Sequence, residues 1–215
     1  MNKKSSFLFV FILSINWFMA AKTIDVYFFP HLLYSTDKLT DGSGQTIDIK
    51  ESTLLVWVDH QPDYRFVHKT TYILITSTGV RIIKGDWWPV LNGSRILLGN
   101  KSKYAITSFF KINSESVSKP TTSNVYIYTH ELTSKDILKD GTTSTVFKLG
   151  NNTLLVWIDL APGAKFEHAT LYLLISDQSI MVNKGKWWPV LNTKTILYPD
   201  YNAVGIISPF VLNVN

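Results

Sequence analysis

An all-β chain built from two tandem copies of one β-sandwich domain, immunoglobulin-like in size and strand number, is the fold class this sequence predicts. Three observations predict it. The string Trp87-Trp88-Pro89-Val90-Leu91-Asn92 recurs unchanged as Trp187-Trp188-Pro189-Val190-Leu191-Asn192, too unusual a composition to recur by chance. Short β-branched and aromatic runs alternate with turn signals at short intervals. No window carries a helical period with caps.

The duplication extends well beyond those six residues. Thr53 matches Thr153, and the offset holds without a gap to Leu97 and Leu197, with about half of the positions identical. Upstream the register slips by one residue, pairing Asp37, Asp41 and Gly42 with Asp136, Asp140 and Gly141. A slip of that kind falls between elements, where a loop absorbs it.

Within the first copy, Thr23 to Phe29 is β-branched and aromatic and stops at Pro30, as a first strand does. Asp41-Gly42-Ser43-Gly44 is a turn, and Gln45 to Lys50 alternates loosely as a second strand. Thr53 to Asp59 is apolar on both faces, which predicts a central strand covered on both sides. His60 to Lys69 reads as a loop. Thr71 to Thr76 and Val80 to Lys84 form a hairpin around Gly79, and Gly85-Asp86 turns into the Trp-Trp-Pro stretch. Arg95 to Leu98 and Tyr104 to Phe109 supply the last two strands.

The boundaries that follow are a signal peptide at 1–21, a first sandwich at 22–113, a linker at 114–124 and a second sandwich at 125–215. The leader has a basic start at Lys3 and Lys4, an apolar run from Phe7 and small residues at Ala20 and Ala21, the pattern of secretory export. The chain contains no cysteine, which excludes disulfides, thiol catalysis and Cys-ligated zinc. An exported chain of this size without disulfides points to a secreted or periplasmic protein of a bacterial envelope. Net charge is +5, or +3 once Lys3 and Lys4 leave with a cleaved leader. The basic residues form no run, so no nucleic-acid footprint is present. Contact with a membrane is expected only if the leader stays uncleaved.

Two constellations carry the functional expectations. Outside the leader every Trp is paired between copies: Trp57 with Trp157, Trp87 with Trp187, Trp88 with Trp188. In an extended strand neighbours point to opposite faces, so one Trp of each Trp-Trp pair is expected to face outward. Pro89 places it at an edge or bulge. The outward Trp, with Asn92 and Asn192 beside it, is the first candidate for a ligand contact. Packing is the commoner fate of a large aromatic; the alternative is a platform for a polysaccharide or for an envelope or surface protein.

The second constellation is Asp59, Pro62, Phe66, His68 and Thr70, repeated as Asp159, Pro162, Phe166, His168 and Thr170. With His31 and His130 each copy holds the inventory of a His-carboxylate metal site, yet no ligand spacing is present, and local hydrogen bonding of the His is the simpler account. Ser108 and Ser208 complete triads by inventory alone. No nucleophile elbow, phosphate loop or spaced carboxylate pair is found, so no catalytic residue, metal or cofactor is assigned. The Asp41 and Asp140 turns suit a calcium loop in principle and a plain Asp-Gly turn more simply. A non-enzymatic, exported binding or adhesion scaffold is the expected function, with a hydrolase or metal-binding protein using the Asp-His loops as the alternative.

Overall fold

The computed structural model describes residues 24–62, 64–96, 106–107, 109–113, 122–128, 130–143, 145–197, 206–207 and 210–212. The stretch read as a signal peptide at 1–21, most of the stretch read as a linker (114–121), Ser108 and Ser208 lie outside the described residues. From the first repeat come β1 (Ile24–Phe28), β2 (Leu39–Thr40), β3 (Thr46–Ile47), β4 (Thr53–Asp59), β5 (Lys69–Thr76), β6 (Val80–Asp86), β7 (Val90–Leu91), β8 (Ser94–Arg95), β9 (Ile106–Thr107) and β10 (Phe109–Asn113). The second supplies β11 (Thr122–Ile127), β12 (Leu138–Asp140), β13 (Val146–Phe147), β14 (Leu154–Asp159), β15 (Thr170–Ile175), β16 (Ile180–Gly185), β17 (Pro189–Leu191), β18 (Lys194–Thr195), β19 (Ile206–Ile207) and β20 (Phe210–Leu212).

All strand pairs are antiparallel, and they follow the same plan in both repeats. A large sheet is built on β1-β4-β5-β6 in one copy and β11-β14-β15-β16 in the other, each with a small sheet, β3-β2-β7-β8 or β13-β12-β17-β18. The outermost strand of each large sheet comes from the other repeat. β20 pairs with β1, setting Ile24 opposite Leu212, and β10 pairs with β11, setting Phe109 opposite Tyr126. The last strands of the two copies are thus exchanged, and β9 pairs antiparallel with its counterpart β19 where they cross.

Side-chain alternation on β4 shows why the layers stack as they do. All seven residues of β4 are buried. Leu54, Val56 and Val58 point into a core shared with Leu154, Val156 and Ile158 of the second repeat. Leu55 and Trp57 point the other way, onto the small sheet of their own repeat through Leu39 and Ile47. β14 divides its residues identically, with Leu155 and Trp157 facing Leu138 and Phe147. The order of layers is therefore small sheet, large sheet, large sheet, small sheet. The shared core takes eight buried apolar side chains from each repeat.

Several expectations need correction. The immunoglobulin order joins the first two strands in one sheet as A-B-E-D, whereas here β1 pairs with β4 and β2 belongs to the other sheet. The two copies share a core and exchange strands, and β11 begins at Thr122 inside the stretch read as linker. The second strand shrinks to Thr46–Ile47. Gly85 and Asp86 do not turn; β6 runs through both. The chain bends one residue later, at Trp87, whose φ of 67° lies in the left-handed region.

Candidate functional site

The loop after β4 and the Trp-Trp stretch, treated separately in the sequence, come together at one end of the large sheet. Asp59, the last residue of β4, is fully buried. Its Oδ1 accepts from the backbone N–H of Gln61 at 2.9 Å and from His68 Nε2 at 2.7 Å. Its Oδ2 accepts from Trp88 Nε1 at 2.9 Å. His68 Nδ1 donates to the carbonyl of Phe66 at 2.7 Å, and its ring meets Trp87 edge-on at 5.1 Å between centroids.

The second repeat keeps this arrangement. His168 Nε2 lies 2.8 Å from Asp159 Oδ1, His168 Nδ1 donates to the Phe166 carbonyl at 2.8 Å, and Ala161 N–H donates to Asp159 at 2.9 Å. In both copies Nδ1 faces the Phe carbonyl and Nε2 lies against the carboxylate, with hydrogen-bond geometry to Asp59 in the first repeat and a 2.8 Å contact to Asp159 without that geometry in the second. The histidine is a clamp that ties the loop back to the end of the strand.

In the first repeat Trp87 and Trp88 do not divide between two faces, because the left-handed backbone at Trp87 ends the extended alternation on which that expectation rested. Trp87 and Trp88 are both half-buried and stack on each other at 6.3 Å. Trp188 is buried against Trp157, with centroids 4.2 Å apart, and Trp187 is half-buried beside His168. Gly42 is small for this reason, since a Cβ there would stand 2.3 Å from the Cβ of Trp87. The hydroxyl of Tyr72 donates to the Trp87 carbonyl at 2.6 Å, and Tyr172 does the same to Trp187 at 2.7 Å.

Asn92 and Asn192 have a turn role. Asn92 and Gly93 have φ of 50° and 80°, and Asn192 and Thr193 have 48° and 76°, the left-handed pair that a two-residue hairpin demands. The Asn92 side chain also donates to Asp37 at 2.8 Å and accepts from Lys38 N–H at 2.9 Å. Asn192 donates likewise to Asp136.

The acidic turns are closed by protein donors. Asp41 accepts from the N–H groups of Ser43, Gln45 and Asp86 and from the Ser43 hydroxyl. Burial alone would raise its carboxyl, and these donors outweigh burial to hold it below the ordinary value. Asp140 is lowered for the same balance of reasons, with Lys186, Thr142 and Trp187 N–H as donors. Among the described residues no group of three or more His or acidic side chains is gathered as a metal site. His31 and His130 are exposed and pack on Phe29 and Tyr128.

Phe66 and Phe166, retained in the second constellation but given no role there, form the tip of the clamped loop. Phe66 is 80% exposed and Phe166 81%, far above what a packing residue shows, and each follows a cation, Arg65 or Lys165. Tyr64 and Val67 add exposed apolar surface to the first tip. Retention of Phe in both copies was the visible signal; its exposure was not. No protein family model, curated protein or solved structure matches the chain.

Proposed function

We propose that this chain is an exported, non-enzymatic binding or adhesion scaffold whose contacts are made by the loops at 60–69 and 160–169, with Phe66 and Phe166 as anchors. The observation that carries this reading is the exposure of those two phenylalanines on loops whose other retained groups are spent holding them in place. Asp59, His68 and Trp88 engage one another at the base of the loop, a supporting arrangement that favours a binding role over the hydrolase and metal alternatives. Exposed aromatics on a rigid support are what an interface anchor needs. The Trp pairs support the loop from behind through the ring contacts of Trp87 with His68 and Trp187 with His168. Export rests on the leader-like segment, and a secreted or periplasmic location goes with it; the mass of the exported chain tests cleavage after Ala20 or Ala21.

The binding test is a titration of the mature chain against a panel of polysaccharides and immobilised envelope proteins. Three forms are compared: wild type, Phe66→Ala with Phe166→Ala, and Trp87→Phe with Trp187→Phe. Binding is expected to vanish in the first double variant and to persist in the second. Binding that follows the Trp variant, or turnover of any panel member, overturns the proposal.

A further inference from the structure

We infer that the partner of the first tip is a second copy of this chain, and that the protein assembles head to tail by seating loop 60–69 of one copy in a hollow beside His168 of the next. The inference rests on the binding role proposed for the loops.

The two tips sit at opposite ends of the body. Thr76 pairs with Thr53, at the end of the first large sheet farthest from loop 60–69. Its carbonyl accepts a hydrogen bond from Ser123 Oγ at 3.5 Å. Ser123 adjoins Asn124, which pairs with Asp159, at the loop 160–169 end of the second sheet. The exchanged strands agree: β20 runs from Val26 towards Ile24 and the first loop, and β10 runs from Tyr126 towards Thr122 and the second. They leave an antiparallel crossing in opposite directions. A strand of eight residues separates the ends, or about 25 Å at 3.3 Å per residue.

The ends have also diverged in a complementary sense. Tyr64, Phe66 and Val67 are 60, 80 and 64% exposed and make the first tip a bulky apolar knob. At the second, Ala164 and Glu167 replace Tyr64 and Val67, and an open hollow of about 600 Å³ lies beside His168, walled by Ala169, Gly185 and Lys186. The first repeat shows how the hollow arises. There Lys69 reaches Asp86 at 2.6 Å and spans the corresponding ground, whereas the second repeat has Ala169 and Lys186, which cannot make that bridge. A volume of this size accommodates a cluster of side chains. Charge is matched as well: the knob carries Arg65 and the hollow carries Glu167.

A knob and a hollow at opposite ends form a heterologous contact, which propagates into an open filament and does not close into a dimer. Sedimentation velocity and electron microscopy of the mature chain test it, with two variants whose folding is checked by circular dichroism. Phe66→Ala removes the knob's centre. Ala169→Lys with Lys186→Asp rebuilds the ion pair across the hollow. Wild type is expected to grow in mass with concentration, each variant alone to stay monomeric, and an equal mixture of the two to stop at dimers, since each retains the half the other lacks. A wild type that stays monomeric to about 1 mM, the weak end of protein association, overturns the inference, as does a closed dimer or a mixture that forms none. A monomer whose Phe66→Ala, Phe166→Ala form still loses a panel ligand refutes self-assembly alone and leaves the binding proposal standing.

Discussion

Replacing Asp59 with Asn tests the clamp most directly. The side chain keeps its shape and loses its charge and one acceptor. Three donors converge on the carboxylate, from Gln61, His68 and Trp88. Turned so that its oxygen still serves Gln61 and His68, the amide presents N–H to the Trp88 indole N–H. That buried donor is then unpaired, at a cost of roughly 1–3 kcal/mol. The bond to His68 also falls from charge-assisted to neutral and loses about half its strength. Half of a charge-assisted bond is about 0.8–1.5 kcal/mol, so the sum is about 2–4 kcal/mol. Urea denaturation of wild type, Asp59→Asn, His68→Gln and the double variant measures both the loss and the coupling. A loss below about 1 kcal/mol, or single losses that simply add, would refute the clamp.

Three further outcomes follow from the same structure. Thr193 holds a left-handed φ of 76° at the place where the first repeat uses Gly93, so Thr193→Gly is expected to raise stability by about 1 kcal/mol in urea denaturation, strain relieved less the added freedom of glycine; destabilisation counts against it. The carboxyls of Asp41, Asp136 and Asp140 are held below their ordinary value of 3.8 in the folded state. Their contribution is complete above that value and is lost as pH falls through the folded-state range; an Asp41→Asn, Asp140→Asn form should show a shallower acid loss by circular dichroism, and an unchanged slope contradicts the assignment. Cutting the chain to residues 22–113 uncovers eight shared-core side chains, which forfeits roughly 12–24 kcal/mol at 1.5–3 kcal/mol each against a typical domain stability of about 5–15. The fragment is expected to be a strand-exchanged dimer or an aggregate by light scattering, and a stable monomer would show that the shared core is dispensable.

The legible part of this protein was its periodicity. Thr53 to Asp59, apolar at every position but its ends, announced a strand covered on both faces, and it is. What covered it could not be read, because alternation reports that a face is buried and not which chain segment lies across it. The exchange of β10 and β20 is a matter of where a strand goes after its last turn, and the residues of Phe109–Asn113 suit either sheet equally. The Asp59 and His68 partnership was within the reach of composition, whereas Trp88 joining it was hidden by the assumption of an extended backbone, which one left-handed residue, Trp87, undid. Phe66 was visible as a retained residue, but an exposed aromatic and a buried one look alike in sequence.

The exchanged strands also govern the order in which the molecule can be made. β1 near the start of the chain acquires its outer neighbour only when β20 near its end exists, joining Ile24 to Leu212, and contacts of such separation form slowly. A growing chain that holds only the first repeat therefore has no partner for its widest apolar face. Synthesis of the second repeat releases folding of both, so the chain stays without its final fold until nearly all of it has been translated.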